Sequence, residues 1–163
     1  MNFLGALTPI IVKAALDYKI DAEVLGALIL QESGGNPWAT RYEPAFYLKY
    51  ISKLTRSTLP GFVPNPNQVS LMTEKKHRAT SWGCCQVMGE TAREHGYSEI
   101  YITRLLDPVV GITWGAKVLS SFITKENGSV TRGLLRYNGG GDSTYGVKVL
   151  SRIQNKEIEA FHF

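Results

Sequence analysis

Apolar residues recur at helical spacing along most of the chain, and the breaks between runs carry start and stop signals. Thr8 followed by Pro9 reads as an N-cap with proline at the first helical position, leading into Ile11, Val12, Ala15 and Leu16. This predicts a first helix to about Tyr18. Asp21 predicts the cap of a second helix in which Leu25, Leu28, Ile29 and Glu32 fall at i, i+3, i+4 and i+7, on one face. A carboxylate therefore ends the apolar stripe. Gly34 and Gly35 stop this helix, and Asn36 with Pro37 keeps it from resuming.

After Pro44, Phe46, Tyr47, Tyr50, Ile51 and Leu54 have rough helical spacing and much aromatic surface, which suits either core or a sugar-facing wall. Prolines in the stretch 60–67 remove donors and fix φ, so an irregular surface excursion is expected there. A short helix is expected over about 69–78 and another over 90–95, ending at Gly96. Asp107-Pro108 repeats the cap-then-proline signal and opens the clearest helix, with Ile112, Gly115, Ala116, Leu119, Phe122 and Ile123 on one face. This is the expected buried central helix. Ser129 is read as the cap of a further helix ending at Tyr137, Asn138 and Gly139 to Gly141, and a last helix from about Thr144 carries Tyr145, Val149 and Ile153. Seven or eight helices with no sustained strand alternation define a mainly α class, with room for a small β-hairpin in the middle.

A length of 163 residues, 44% hydrophobic and 20% charged, suits one ordinary globular domain spanning 1–163. The longest early apolar run, from Val24 to Leu30, is far shorter than the roughly 20 residues of a membrane span, so no membrane insertion is expected. Met1 to Ile11 lacks the basic start of a secretory signal. The net charge of +4 mildly favours an anionic partner. The two cysteines, Cys84 and Cys85, are adjacent, and neighbours rarely meet disulfide geometry.

Glu32 is the strongest candidate for chemistry. Its register places it at the core edge, where desolvation raises a carboxyl pKa and keeps a proton available for general acid catalysis. The competing reading is a helix-end carboxylate that merely reaches water. His77, His95 and His162 are scattered without metal-ligand spacing, so neither a metal nor another cofactor is expected. Cys84 and Cys85, between Gly83 and Gln86, read as packing residues rather than nucleophiles.

Four motifs in order resemble the lytic transglycosylase family related to soluble lytic transglycosylases and goose-type lysozymes. Ile29-Leu30-Gln31-Glu32-Ser33-Gly34-Gly35-Asn36-Pro37 resembles the family's helix-ending Glu-Ser motif, and Ser81-Trp82-Gly83-Cys84-Cys85-Gln86-Val87-Met88 its Gly-Leu-Met-Gln motif. Arg136-Tyr137-Asn138-Gly139-Gly140 resembles Ala-Tyr-Asn-x-Gly, followed by Tyr145, and Asp107-Pro108 with Gly111 and Gly115 resembles the entry to the central helix. The resemblance implies a lysozyme-like helical fold and cleavage of the β-1,4 bond between N-acetylmuramic acid and N-acetylglucosamine, with 1,6-anhydro products. It makes Glu32 the acid/base and Ser33, Gln86, Tyr137, Asn138 and Tyr145 the substrate contacts. Plain core packing is the alternative for Tyr137 and Tyr145.

Two departures qualify this match. Cys84 and Cys85 replace a Leu-Met pair that borders the family's sugar cleft, which puts subsite shape in question. Arg41-Tyr42-Glu43-Pro44 resembles phage-type members and supplies Glu43 as a candidate second catalytic carboxylate, the other reading being an ion pair with Arg41. The expected partner is the peptidoglycan glycan strand, with other virion tail proteins as candidates and no nucleic acid. The expected setting is a phage virion, or release from the host cytoplasm on to the wall. A hydrolytic muramidase using Glu32 and Glu43, and a non-catalytic wall-binding virion module, stand as alternatives.

Overall fold

A computed structural model describes residues 4–155 and 157, which form eight α-helices and a small antiparallel sheet. Helix α1 (Thr8–Tyr18) follows a short 3-10 turn, Gly5–Leu7. That turn changes the expected start: Leu7 occupies the cap position, and the Thr8 hydroxyl instead donates back to the Leu4 carbonyl at 3.1 Å. Helix α2 (Ala22–Ser33) begins as expected, with the Asp21 carboxylate accepting from the Glu23 amide. It stops at Gly34, whose φ of 63° is a left-handed conformation with little penalty for glycine.

Strand β1 (Thr40–Tyr42) pairs with β2 (Thr80–Trp82), which pairs in turn with β3 (Val87–Met88). The expected central hairpin is therefore β2–β3, with β1 added on its edge from 40 residues upstream by register Arg41↔Ser81. Between β1 and β2 lie α3 (Pro44–Phe46), a π-helical turn (Tyr47–Ile51) and α4 (Leu71–Arg78), capped by the Ser70 hydroxyl on the Thr73 amide. The proline-rich stretch has no regular structure but is tethered: Arg78 donates to the carbonyls of Pro60 and Phe62 at 2.8 Å each, and Arg56 to Pro64 at 2.6 Å.

After β3 come α5 (Gly89–Glu94), a 3-10 turn (Ile102–Leu106), α6 (Pro108–Lys125), α7 (Val130–Tyr137) and α8 (Tyr145–Gln154). Asp107 caps α6 through the amides of Val109 and Val110, and Ser129 caps α7 through Arg132. Helix α6 is central, packed on α1 and α7, while α8 closes over α2 and α7. Ile112, Ala116, Val118 and Leu119 of α6 share one core with Ile11, Leu25, Leu28, Ile29, Leu134 and Val149. Burying such aliphatic side chains stabilises by about 1.5–3 kcal/mol each, which is what holds the ends of α2, α7 and α8 together at the site.

A second, ionic centre lies under α4 and α5. Glu74 accepts from both Arg78 and Arg93 at 2.9 Å, and Arg78 also reaches Glu90 at 2.9 Å. Arg93 donates further to the carbonyls of Tyr97 and Glu99. All four side chains are buried. Desolvated charges are tolerable only with this degree of pairing.

Candidate active site

A cavity of about 410 Å³ opens beside the C-terminal end of α2, with Glu32 in its wall. The end of α2 contributes Glu32, and the sheet contributes Arg41, Ser81, Val87 and Met88. Phe46 and Tyr50 stand together as an aromatic wall, their rings 4.9 Å apart, and α6 and α7 add Phe122, Arg136 and Tyr137. Of the aromatic run after Pro44, these two residues face the cavity, while Ile51 is core.

Among the described residues Glu32 is the one carboxyl lining this cavity. Burial pushes its pKa above the ordinary 4.5, because desolvation penalises the charged form. Two weaker influences oppose that: the Tyr145 hydroxyl donates to Glu32 Oε1, and the Arg41 guanidinium adds positive potential. The result is a carboxyl whose protonated form is favoured relative to an exposed glutamate, held by a hydrogen bond from Tyr145 and beside a cation that favours its ionised form, the arrangement a general acid would use.

The turn between β2 and β3 lies behind Glu32. Cys84 O accepts the Ser33 hydroxyl at 2.7 Å, and Cys85 O accepts the Tyr137 hydroxyl at 2.8 Å. The end of α2 and the end of α7 are thus both fastened to one dipeptide. Cys85 also packs on Gly115 of α6, so closely that a Cβ there would come within 2.4 Å of its sulfur. Both cysteines are free and buried, and burial raises the Cys84 thiol to about 11 and the Cys85 thiol well above its usual value. Such thiols are packing groups, not nucleophiles.

A family model described as Transglycosylase SLT domain matches residues 9–159, almost the whole chain. The chain belongs to the transglycosylase SLT family. The SLT domain identifies a peptidoglycan lytic transglycosylase, an enzyme that cleaves glycan, and the mainly helical fold agrees with the lysozyme-like architecture of that family. No curated protein and no solved structure is matched by the chain.

Within this SLT domain three of the four motifs expected from the sequence meet at the cleft, and Gly115 of the fourth packs behind it on Cys85, while Asp107 and Pro108 line a separate concavity. Glu32, Gln86, Tyr137 and Asn138 line the cavity. Gln86 has a φ of 48°, and its Nε2 donates to the carbonyls of Ala39 and Gly83, leaving Oε1 to accept from an incoming group. Asn138 caps the C-terminus of α7 and is exposed. Ser33, Tyr145 and Glu43 are not among the lining residues. The Ser33 hydroxyl is engaged with Cys84, the Tyr145 hydroxyl with Glu32, and Glu43 accepts from Arg41 Nε at 2.5 Å.

Neither Cys84 nor Cys85 lines the cavity; both are buried, and Val87 and Met88 of the same hairpin line it. Arg41, Thr91, Val118 and Phe122 line the cleft although the sequence assigned none of them to the site. Arg41 carried a signal in its position after the Glu-Ser motif, whereas Phe122 reads as an ordinary core position of α6. Among the described residues no group of three or more His, Cys, Asp or Glu side chains is placed to hold a metal ion, and no helix is long and apolar enough to cross a membrane. His162 lies outside the described residues.

Proposed function

We propose that this SLT domain cleaves the β-1,4 bond between N-acetylmuramic acid and N-acetylglucosamine without water, with Glu32 acting first as acid and then as base. Protonated Glu32 gives its proton to the glycosidic oxygen as the bond from that oxygen to muramic C1 breaks, releasing the N-acetylglucosamine hydroxyl. The muramic C6 oxygen closes on C1, and the Glu32 carboxylate takes the C6 hydroxyl proton. The product is a 1,6-anhydro ring, every atom of the substrate is retained, and the enzyme regains its starting protonation state.

The observation that carries this reading is that Glu32 is the single carboxyl in the cleft among the described residues. An inverting hydrolase needs a second carboxylate at roughly 6.5–9.5 Å to activate water. Glu43, the candidate for that part, is occupied by Arg41 and does not line the cavity. Its part in the proposal is to hold Arg41 at the cleft. Tyr145 orients Glu32, Tyr137 and Ser33 position the wall through the cysteine carbonyls, and Gln86 and Asn138 contact the sugar. The phage setting, with action from a virion or after release from the host cytoplasm, belongs to the same proposal and rests on the Arg41-Tyr42-Glu43-Pro44 resemblance.

The decisive variant is Glu32→Gln, an isostere without a titratable proton. General acid catalysis contributes about 100-fold to 10,000-fold in rate, so cleavage of purified sacculi should fall by at least that lower factor with folding intact. Activity above about a tenth of the unmodified enzyme would remove Glu32 from the acid's part.

A further inference from the structure

The cavity that holds Glu32 is adjoined by two others that share residues with it. A second concavity of about 470 Å³ shares Phe46, Tyr50 and Thr91 with it and continues past Leu54, Thr58 and Pro60 to Glu90 and Glu94. A third, of about 430 Å³, shares Arg136 and Gly139 and continues to Arg132, Leu135 and Gly140. The two junctions have no residue in common: one is built by the end of α3, the π-helical turn and α5, the other by the end of α7 and Gly139 beyond it.

We infer that these three concavities form one groove that binds a glycan strand on both sides of the scissile bond, so that the enzyme cuts inside strands and not from their ends. The inference rests on the transglycosylase reading above and adds its mode of attack. An enzyme confined to chain ends needs a wall that stops the strand one or two sugars from the acid. Here further lined concavities adjoin the central cavity at two separate sets of shared residues.

The two arms differ in chemistry. One has aromatic and proline surface suited to sugar C–H faces, with Glu90 and Glu94 at its floor and rim. The other is basic: Arg132 and Arg136 share a single carboxylate, Glu126, with contacts of 3.7 and 2.8 Å, which leaves one positive charge in excess. Peptide stems on muramic acid carry carboxylates, so this excess favours a stem-bearing sugar in the α7 arm. Strand direction through the groove is then set by charge as well as by the acid.

The test is the size distribution of products at early conversion from long, uncross-linked peptidoglycan strands, set beside the Glu94→Trp and Arg132→Glu variants. Both altered side chains are exposed and lie in the arms, away from the central cavity. Internal cutting gives long fragments first, with average strand length falling well before disaccharides accumulate. Each variant should lower kcat/KM on long strands by about threefold to tenfold, through KM, and move early products toward shorter pieces. Disaccharides as the main product from the first time point would overturn the inference while leaving the transglycosylase reading intact. Absence of any cleavage would overturn both.

Discussion

The Tyr145 hydroxyl donates to Glu32 Oε1, joining the start of α8 to the end of α2 across 113 residues of sequence. This contact holds the Glu32 carboxyl in one orientation. It also favours the ionised carboxyl, against the larger effect of burial. Tyr145→Phe removes the donor and keeps the ring in the core. Because the lost bond had been lowering the Glu32 pKa, the alkaline limb of the kcat/KM profile should move to higher pH. The maximal rate should fall about 10-fold to 100-fold, the equivalent of one hydrogen bond to a charged group. A profile that stays in place, read with soluble glycan strands over a full pH series, would contradict the coupling.

Arg41 lowers the Glu32 pKa through space. Arg41→Gln should therefore also shift the alkaline limb upward and leave the melting temperature almost unchanged, since the side chain is largely exposed. Glu43→Gln frees Arg41 without touching Glu32. Its kcat should stay within about threefold of the unmodified enzyme, with the change appearing mainly in KM. A kcat as low as that of Glu32→Gln would make Glu43 a second catalytic carboxylate.

Stability carries the same signature. Because the folded pKa of Glu32 lies above the ordinary 4.5, its contribution to stability is full below that value and is lost as pH rises through the folded pKa. Glu32→Gln has no such loss. The melting temperatures of the two proteins should therefore diverge in favour of the variant as pH rises, and their difference should stop changing below about pH 4.5. A constant difference across the whole series would mean that burial does not raise this carboxyl.

The helices were readable because their signals are local. Asp21 and Asp107-Pro108 sit next to the amides they cap, and the apolar faces that follow need only their own spacing. Thr8 misled because the chain before it is already turned, which gives its hydroxyl a carbonyl to donate to. Strand β1 has three exposed residues and exists through pairing with residues 40 positions away, so no alternation announces it. The site divided in the same way. The place of Glu32 at the cavity was legible from its register and that of Gln86 and Asn138 from motif resemblance, but the hydroxyls of Ser33 and Tyr137 face the Cys84 and Cys85 carbonyls, a partner that no spacing specifies.

The ionic centre was hidden for a further reason. Helix α4 reads Leu-Met-Thr-Glu-Lys-Lys-His-Arg, a composition expected of a solvated helix, yet Glu74 and Arg78 are buried. Their burial depends on Arg93 and Glu90 arriving from α5. Glu74→Gln would leave Arg78 and Arg93 with an uncompensated buried charge, at a cost of about 3–5 kcal/mol. Chemical denaturation should register this loss, and a change below about 1 kcal/mol would indicate that water reaches the arginines.

Cys85 is predicted to be a spacer. Cys85→Met would force extra atoms toward Gly115, and overpacking of this kind destabilises by about 1–3 kcal/mol. Because Tyr137 is fastened to the same residue's carbonyl, turnover of the folded variant should fall as well. Cys84→Ala with Cys85→Ala should lower stability more than it lowers turnover, and rapid inactivation of folded enzyme by a small thiol reagent would contradict this packing role.

Mass spectrometry of the muropeptides released from purified sacculi tests the one-carboxyl mechanism most directly. Glu32 acting alone as acid and base gives products with 1,6-anhydro-muramic ends, each one water lighter than the hydrolytic product, and Glu32→Gln gives neither. Reducing muramic ends as the main product would contradict the mechanism and require a second group in the cleft that activates water.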